Sequence, residues 1–213
     1  MRTIILLISH QLDTNERGFS YNTDAKLDMR MSQSGLRAYD LVNSWSVEEL
    51  ARIFREYGEE RYAYKIALNI ARARESSPVE TTGQLVEIIR RSIPAAARRE
   101  GGNPAKRTFQ ALRIAVNSEL DSLSLCLDRA FEQLRPGGRF AVITFHSLED
   151  RMVKQKFQSW TRGCICPPDF PVCVCNHKPQ ARLVNKKPIE ASAGELEQNR
   201  RSHSAKLRVA EKL

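Results

Sequence analysis

Residues 108–145 spell out a helix, a stop signal and a strand in unbroken succession. Leu112, Ala115, Val116, Leu120, Leu123, Leu127, Ala130 and Phe131 recur at helical spacing and predict one long helix over 108–134. Leu134-Arg135-Pro136-Gly137-Gly138 ends it, because proline cannot continue a helix and glycine supplies the turn. Phe140-Ala141-Val142-Ile143-Thr144-Phe145 then reads as a continuous apolar strand. This rhythm predicts an α/β fold with a parallel sheet buried on both faces.

The rest of the chain fits around that unit. Ile4 to Ile8 is a second apolar, β-branched run, too short for a signal-peptide core and followed by no small-residue cleavage site. Residues 9–35 are polar and without period, and predict a long ordered loop. Ser46 with Glu49, and Thr81 with Gln84, are capping boxes that open helices. The first of these carries Leu50, Ile53 and Phe54 on one stripe and ends with Gly58 at a C′ position. A further helix is expected over 59–75. Together these elements predict a compact helical unit over 36–103. A helix over 148–160, a cysteine-rich loop and two strand-like runs (181–184 and 205–210) complete the chain. No apolar run approaches the roughly 20 residues of a membrane span.

The formal net charge of +9 is unevenly placed. Seven basic residues, Arg90, Arg91, Arg98, Arg99, Lys106, Arg107 and Arg113, face a single acid, Glu100, between 90 and 113. A second basic excess runs from Asn176 onward, so the remainder of the chain is slightly acidic. Each cluster alone could be a solvated face. Two of them in such a background point to a polyanion partner, nucleic acid above all. Of five cysteines, Cys126 stands alone and Cys164, Cys166, Cys173 and Cys175 cluster, an arrangement unlike a secreted disulfide scaffold. The expectation is a cytoplasmic protein.

Seven stretches carry a more specific resemblance: SHQLD (9–13), ERGFSY (16–21), LDMRM (27–31), YGEERYA (57–63), RTFQALRIAVNSEL (107–120), LRPGGRFAVITFHSLEDRMVK (134–154) and SAKLRVAEKL (204–213). On them the chain resembles the bacterial small-subunit ribosomal RNA cytosine-N4 methyltransferases, the RsmH or MraW family. The resemblance implies a class I, Rossmann-like methyltransferase sheet with an inserted helical domain, and S-adenosylmethionine bound at the carboxyl ends of its strands. Residues 2–8 would be strand four, 139–145 strand five, and the closing strands six and seven. Residues 1–35 and 104–213 would be the methyltransferase domain and 36–103 the insertion. At its front the chain departs from the family. The glycine-rich cofactor loop of the first strands has no counterpart, and Ile4 stands where the family has an aspartate. The expectation is therefore an N-terminally truncated copy with a partial sheet, 4-5-7-6, that binds S-adenosylmethionine barely or not at all. Its strand four, left as an unpaired edge, would self-associate through residues 2–8.

Site expectations follow from the same map. The resemblance leaves Gln11 as the cofactor contact. Asp28 is placed to accept the amine proton, Arg30 to clamp a phosphate, and His146 to bind substrate at the end of strand five; loop salt bridging and a structural histidine are the plainer alternatives. Ser147 with Asp150 three residues on suits a helix cap. Arg98, Arg99, Lys106 and Arg107 are assigned to RNA, and Asn117 to fold support. The expected partner is small-subunit ribosomal RNA or the ribosomal subunit, with no membrane. The alternative function is a non-catalytic RNA-binding fragment or pseudoenzyme. Cys164, Cys166, Cys173 and Cys175 could form a zinc site, but the C-x-C spacing is tighter than usual and reduced thiols are favoured, so no metal is expected.

Overall fold

The computed structural model describes residues 17–213 except 100, 101, 165, 168, 169, 171 and 173, and the side chain of Arg99 also lies outside the description. The strand expected over 2–8, with Ile4 and the edge argued from it, and Gln11 fall outside the described residues. The chain forms two compact units, one reaching to Glu119 and one starting at Leu120. The loop before residue 36 belongs with the first of these, because it sends Phe19, Leu27 and Met29 into the helical core.

The helical unit holds α1 (Ala38–Ser44), α2 (Val47–Glu56), α3 (Ala63–Ser76), α4 (Thr82–Ser92), α5 (Ala95–Arg99) and α6 (Lys106–Asn117). Both expected capping boxes form. Ser46 Oγ accepts from the Glu49 amide at 3.2 Å while the Glu49 carboxylate accepts from the Ser46 amide at 2.8 Å, and Thr81 and Gln84 repeat the pattern on α4. The apolar stripes then meet. Leu50, Ile53 and Phe54 of α2, Ile66 and Ile70 of α3, Leu85 and Ile89 of α4 and Leu112 of α6 are all fully buried.

Two expectations change here. The helix expected from residue 59 starts at Ala63, because the Glu60 amide turns back to the Phe54 carbonyl at 3.0 Å and the Glu60 carboxylate takes the Tyr62 amide at 2.9 Å. Gly58 takes the expected C′ position after α2, while the left-handed residue is Glu59 (φ +49°). Gly58 is needed for closeness instead: a Cβ there would lie 2.6 Å from the Arg107 carbonyl oxygen of α6 and 2.7 Å from that of Phe54. The single long helix expected over 108–134 is two, α6 and α7 (Glu119–Glu132). Ser118 between them is left-handed (φ 47°, ψ 44°), and Arg113 reaches across the break to Glu119 through two hydrogen bonds of 2.8 and 3.0 Å. One left-handed residue leaves the apolar spacing nearly continuous, so the sequence stripe hides the break.

The second unit packs α7 and α8 (Ser147–Trp160) against β1 (Arg139–Thr144), β2 (Ala181–Leu183), β3 (Ile189–Glu190) and β4 (Lys206–Lys212), with a short α9 (Ala193–Gln198) before the last strand. The described strand pairings of this unit are antiparallel and all involve β4: Arg139↔Glu211 through Thr144↔Lys206 with β1, Ala181↔Lys212 with β2, and Ile189↔Leu207 with β3. The parallel, doubly buried sheet expected for β1 is thus corrected among the described residues. Its burial alternates, with Phe140, Val142 and Thr144 inward and Ile143 55% exposed. Antiparallel sheets tolerate one open face, and β4 runs opposite to β1 with α8, β2, β3 and α9 between them in the chain. The inward face meets Phe157 and Trp160 of α8, and Trp160 stacks on Phe131 of α7 at 3.9 Å and 11°. Lys212 Nζ donates to the carbonyls of Phe131 and Glu132, closing the end of α7. Among the described residues no helix is long and apolar enough to cross a membrane.

Gly58→Ala is expected to destabilise the chain by about 1–3 kcal/mol, since both obstructing atoms are backbone and cannot swing aside. Gly194→Ala, in α9 with open space around it, should stay within about 0.5 kcal/mol of the parent. Urea denaturation of the two variants side by side checks the contrast.

Candidate functional site

The loop ahead of α1 is irregular in outline but closely tied. The first amides of α1, Ala38 and Tyr39, donate to the carbonyls of Asp28 and Leu27, each at 2.8 Å. The start of α4 is held the same way: the Thr82 amide donates to the Ala25 carbonyl and the Gly83 amide to Asp24 Oδ1, both at 2.8 Å. The loop therefore supplies the partners that two helix N-termini lack by geometry. Gly18 (φ +72°) closes it, because a Cβ there would strike the Lys26 carbonyl.

Residues 28–31 form the tip. Met29 is fully buried and left-handed (φ +59°), a conformation that costs a non-glycine residue on the order of 1–3 kcal/mol and persists only where its surroundings impose it. Asn117, at the end of α6, imposes it. Its Nδ2 donates to the Met29 carbonyl at 2.8 Å and its Oδ1 accepts from the Met31 amide at 2.7 Å. The expected support role of Asn117 thus acquires its partners. With Met29 turned inward, Asp28 and Arg30 on either side face outward, and they meet in a two-pronged salt bridge: Nε to Oδ1 at 2.9 Å and a terminal nitrogen to Oδ2 at 2.8 Å. The Arg30 amide adds a third bond to Oδ1 at 2.9 Å. Their side chains keep 26% and 23% of their exposure. The Arg30 side-chain hydrogen bonds, helped by its amide and charge, hold the Asp28 carboxyl below the usual carboxylate range against the opposing effect of burial. At neutral pH the tip presents a carboxylate and a guanidinium, each occupied by the other.

The basic residues fall in separate places. Arg98, on α5, lines an open groove of about 510 Å³ with Arg90, Glu87 and Asn103, and its Nε is buried without a hydrogen-bond partner among the described residues. Lys106 and Arg107 begin α6 and are exposed. That is the end of a helix where cations are electrostatically disfavoured, so their placement serves something other than helix stability. Arg107 donates one bond, at 3.0 Å, to the carbonyl of the left-handed Glu59.

His146 belongs to the sheet unit and is the N-cap of α8. Its Nδ1 accepts from the Glu149 amide at 3.3 Å, while the Glu149 carboxylate accepts from the Phe145 amide at 2.8 Å and the His146 amide at 3.3 Å. The cap expected on Ser147 with Asp150 is therefore one residue earlier. Asp150 is released from capping and forms a two-pronged pair with Arg208 at 2.7 and 2.9 Å. Sequence reasoning misses Arg208, because Leu207 and Val209 draw attention as the alternating apolar pair; the inward residues of β4 are Arg208 and Ala210. An arginine at the inward phase of a strand, with an aspartate in a helical first turn elsewhere, is the signal that could have found it.

The MraW methylase family matches residues 6–213 of this chain. The ribosomal RNA small subunit methyltransferase H of Symbiobacterium thermophilum is 62% identical over 206 residues, covering 96% of this chain and 65% of the relative. Those of a Paenibacillus species and of Brevibacillus brevis are 62% and 57% identical over the same length, with 65% and 66% of each relative covered. The chain spans just under two thirds of the length of the curated relatives it matches.

The Asp150–Arg208 pair gives a pH-dependent prediction. The Arg208 hydrogen bonds lower the Asp150 carboxyl against the raising effect of burial, and the two side chains keep only 14% and 11% of their exposure. A folded-state value below the unfolded one, about 3.9, means the contribution is complete above that pH and is lost as pH falls through the lower folded value. Asp150→Asn should cost about 3 kcal/mol near neutrality, since it leaves Arg208 buried and unpaired. The gap between variant and parent should narrow as pH drops below about 4. Urea titrations on both sides of that pH measure it.

Proposed function

The chain belongs to the MraW methylase family, and from that premise we propose that it serves methyl transfer from S-adenosylmethionine to the N4 amine of a cytosine in small-subunit ribosomal RNA. The observation that carries the reading is the Asp28–Arg30 pair, presented on a loop whose backbone is fixed by buried Met29 and by Asn117. The exocyclic amine of cytosine is a weak nucleophile, because its lone pair is delocalised into the ring. Once methylated, its nitrogen sheds a proton readily. A carboxylate of low proton affinity is then sufficient as acceptor, provided it lies within hydrogen-bonding reach. Asp28 is that acceptor in this reading. Arg30 holds it ionised in the free protein and can exchange the carboxylate for an RNA phosphate, for which its planar fork is equally suited.

Arg98, Lys106 and Arg107, with Arg99 from the sequence, provide the cations that hold the RNA by its phosphates. The target cytosine must be unpaired and turned out, because its amine is otherwise engaged in base pairing. S-adenosylmethionine, when bound, supplies an electrophilic methyl group on a sulfonium. The residue expected to touch it, Gln11, lies outside the described residues, so the roles here concern the acceptor side alone. The order β1-β4-β2, with β3 beside β2 on β4, supports reading these strands as five, seven and six of a class I methyltransferase sheet. In this reading His146, just after β1, serves as the cap that orders the first turn of α8. A protein acting on ribosomal subunits in this way works in the cytoplasm.

The test is transfer of labelled methyl from S-adenosylmethionine to small ribosomal subunits lacking the modification, with the labelled nucleoside identified after digestion. Assayed together with a segment that supplies the glycine-rich cofactor loop this sequence does not show, label in N4-methylcytidine is expected, and Asp28→Asn should lower the rate by about 100-fold or more. Salt-dependent RNA binding with no label transferred would select the non-catalytic RNA-binding alternative. Separately, replacing Arg98, Lys106 and Arg107 by Ala should flatten the dependence of log affinity on log salt by about 0.7–0.9 for each phosphate no longer neutralised. An unchanged slope would return these residues to the status of a solvated face.

A further inference from the structure

The excursion between α8 and β2 has no part in the proposed chemistry and, among its described residues, little core of its own. Its ends are tied by the Gln180 amide, which donates to the Trp160 carbonyl at 2.8 Å, yet Phe170, Val172 and Val174 are 51–69% exposed. A loop that exposes its apolar residues is not held by hydrophobic burial, and segments of this kind in natural proteins are commonly fixed by a crosslink or a metal. Inside it the Sγ atoms of Cys164, Cys166 and Cys175 all lie within 4.8 Å of one another. The Cys164 and Cys175 sulfurs are 3.7 Å apart. That separation is far beyond the roughly 2.05 Å of a disulfide. It matches the edge of a tetrahedron with metal–sulfur bonds of about 2.3 Å, which is about 3.8 Å. Two backbone amides also point at the sulfurs, Cys166 N–H at Cys164 Sγ (3.4 Å) and His177 N–H at Cys175 Sγ (3.5 Å). Such donors stabilise negative charge on sulfur, the form that binds metal.

We propose that Cys164, Cys166 and Cys175 bind a thiophilic divalent cation, zinc under cellular conditions. The expectation of simple reduced thiols rests on C-x-C spacing, which places the two sulfurs of one pair close together. In the folded loop the third sulfur arrives from eleven residues along the chain, so convergence does not depend on that spacing. Each thiol yields its proton to solvent as its sulfur binds, so uptake releases protons and weakens at low pH. The fourth position goes to water or to a further side chain; Cys173 lies outside the described residues. The site's work is to fix the excursion, independently of any methyl transfer.

The experiment is titration of the reduced, metal-stripped chain with cobalt(II) alone, followed by zinc. Saturation at one ion per chain, with thiolate-to-cobalt charge-transfer absorption and the intense visible bands of tetrahedral cobalt, both abolished by zinc, is expected. The double variant C164S/C175S should bind more than about 100-fold more weakly, beyond the loss that follows disturbance of outer-shell partners alone. Cobalt bound without thiolate absorption, absence of a stoichiometric endpoint, or equal affinity in parent and double variant would each overturn the proposal. The parent spectrum decides by itself if the variant does not fold.

Discussion

One carboxamide settles the conformation on which the helical unit's functional reading depends. Asn117 presents a donor to the Met29 carbonyl and an acceptor to the Met31 amide, bracketing Arg30 much as a neighbouring strand would. That pairing holds Met29 left-handed and buried, and burial of Met29 forces the two residues beside it outward. The carboxylate–guanidinium pair is therefore a product of backbone geometry fixed from α6. The break at Ser118 belongs to the same arrangement. It ends α6 where Asn117 faces the loop, and Arg113 to Glu119 carries the chain round the corner.

Local chemistry makes much of this legible in the sequence. Capping boxes at Ser46 and Thr81 form as written because all their parts lie within four residues. The turn at Gly137 and Gly138 and the strand after it likewise follow from adjacent residues. Legibility fails where a distant partner decides. Asp150 fits a helix cap as well as Glu149 does until Arg208, 58 residues away, claims it. Nothing near Gly58 signals that α6 passes against it, and a left-handed Ser118 inside an unbroken apolar stripe has no local marker. The direction of strand pairing is hidden for the same reason, since an apolar run states that it is buried but not beside what.

The candidate site divides along the same line. Asp28 and Arg30 are legible through motif resemblance, with their mutual engagement as the plainer alternative; the structure shows the engagement, and a salt bridge at rest is compatible with the separate tasks proposed once a phosphate competes. The basic residues are visible as a count, whereas their division between a groove on α5 and the start of α6 is not. The cysteines show the opposite case: spacing argues against a shared centre, and folding brings three sulfurs to within a few ångströms.

β4 is the seam of its unit: β1, β2 and β3 each pair with it among the described residues. It is also the last of the four in chain order, about seventy residues after β1 by register. Synthesis proceeds from the N-terminus, so the helical unit, rich in local contacts, can assemble while β1 still waits for its partner. Until β4 arrives, Phe140 and Val142 have a helix on which to rest but, among the described residues, no ladder to join. The sheet is thus the late event in the life of the nascent chain, and its apolar strand is the segment most in need of shelter while that interval lasts.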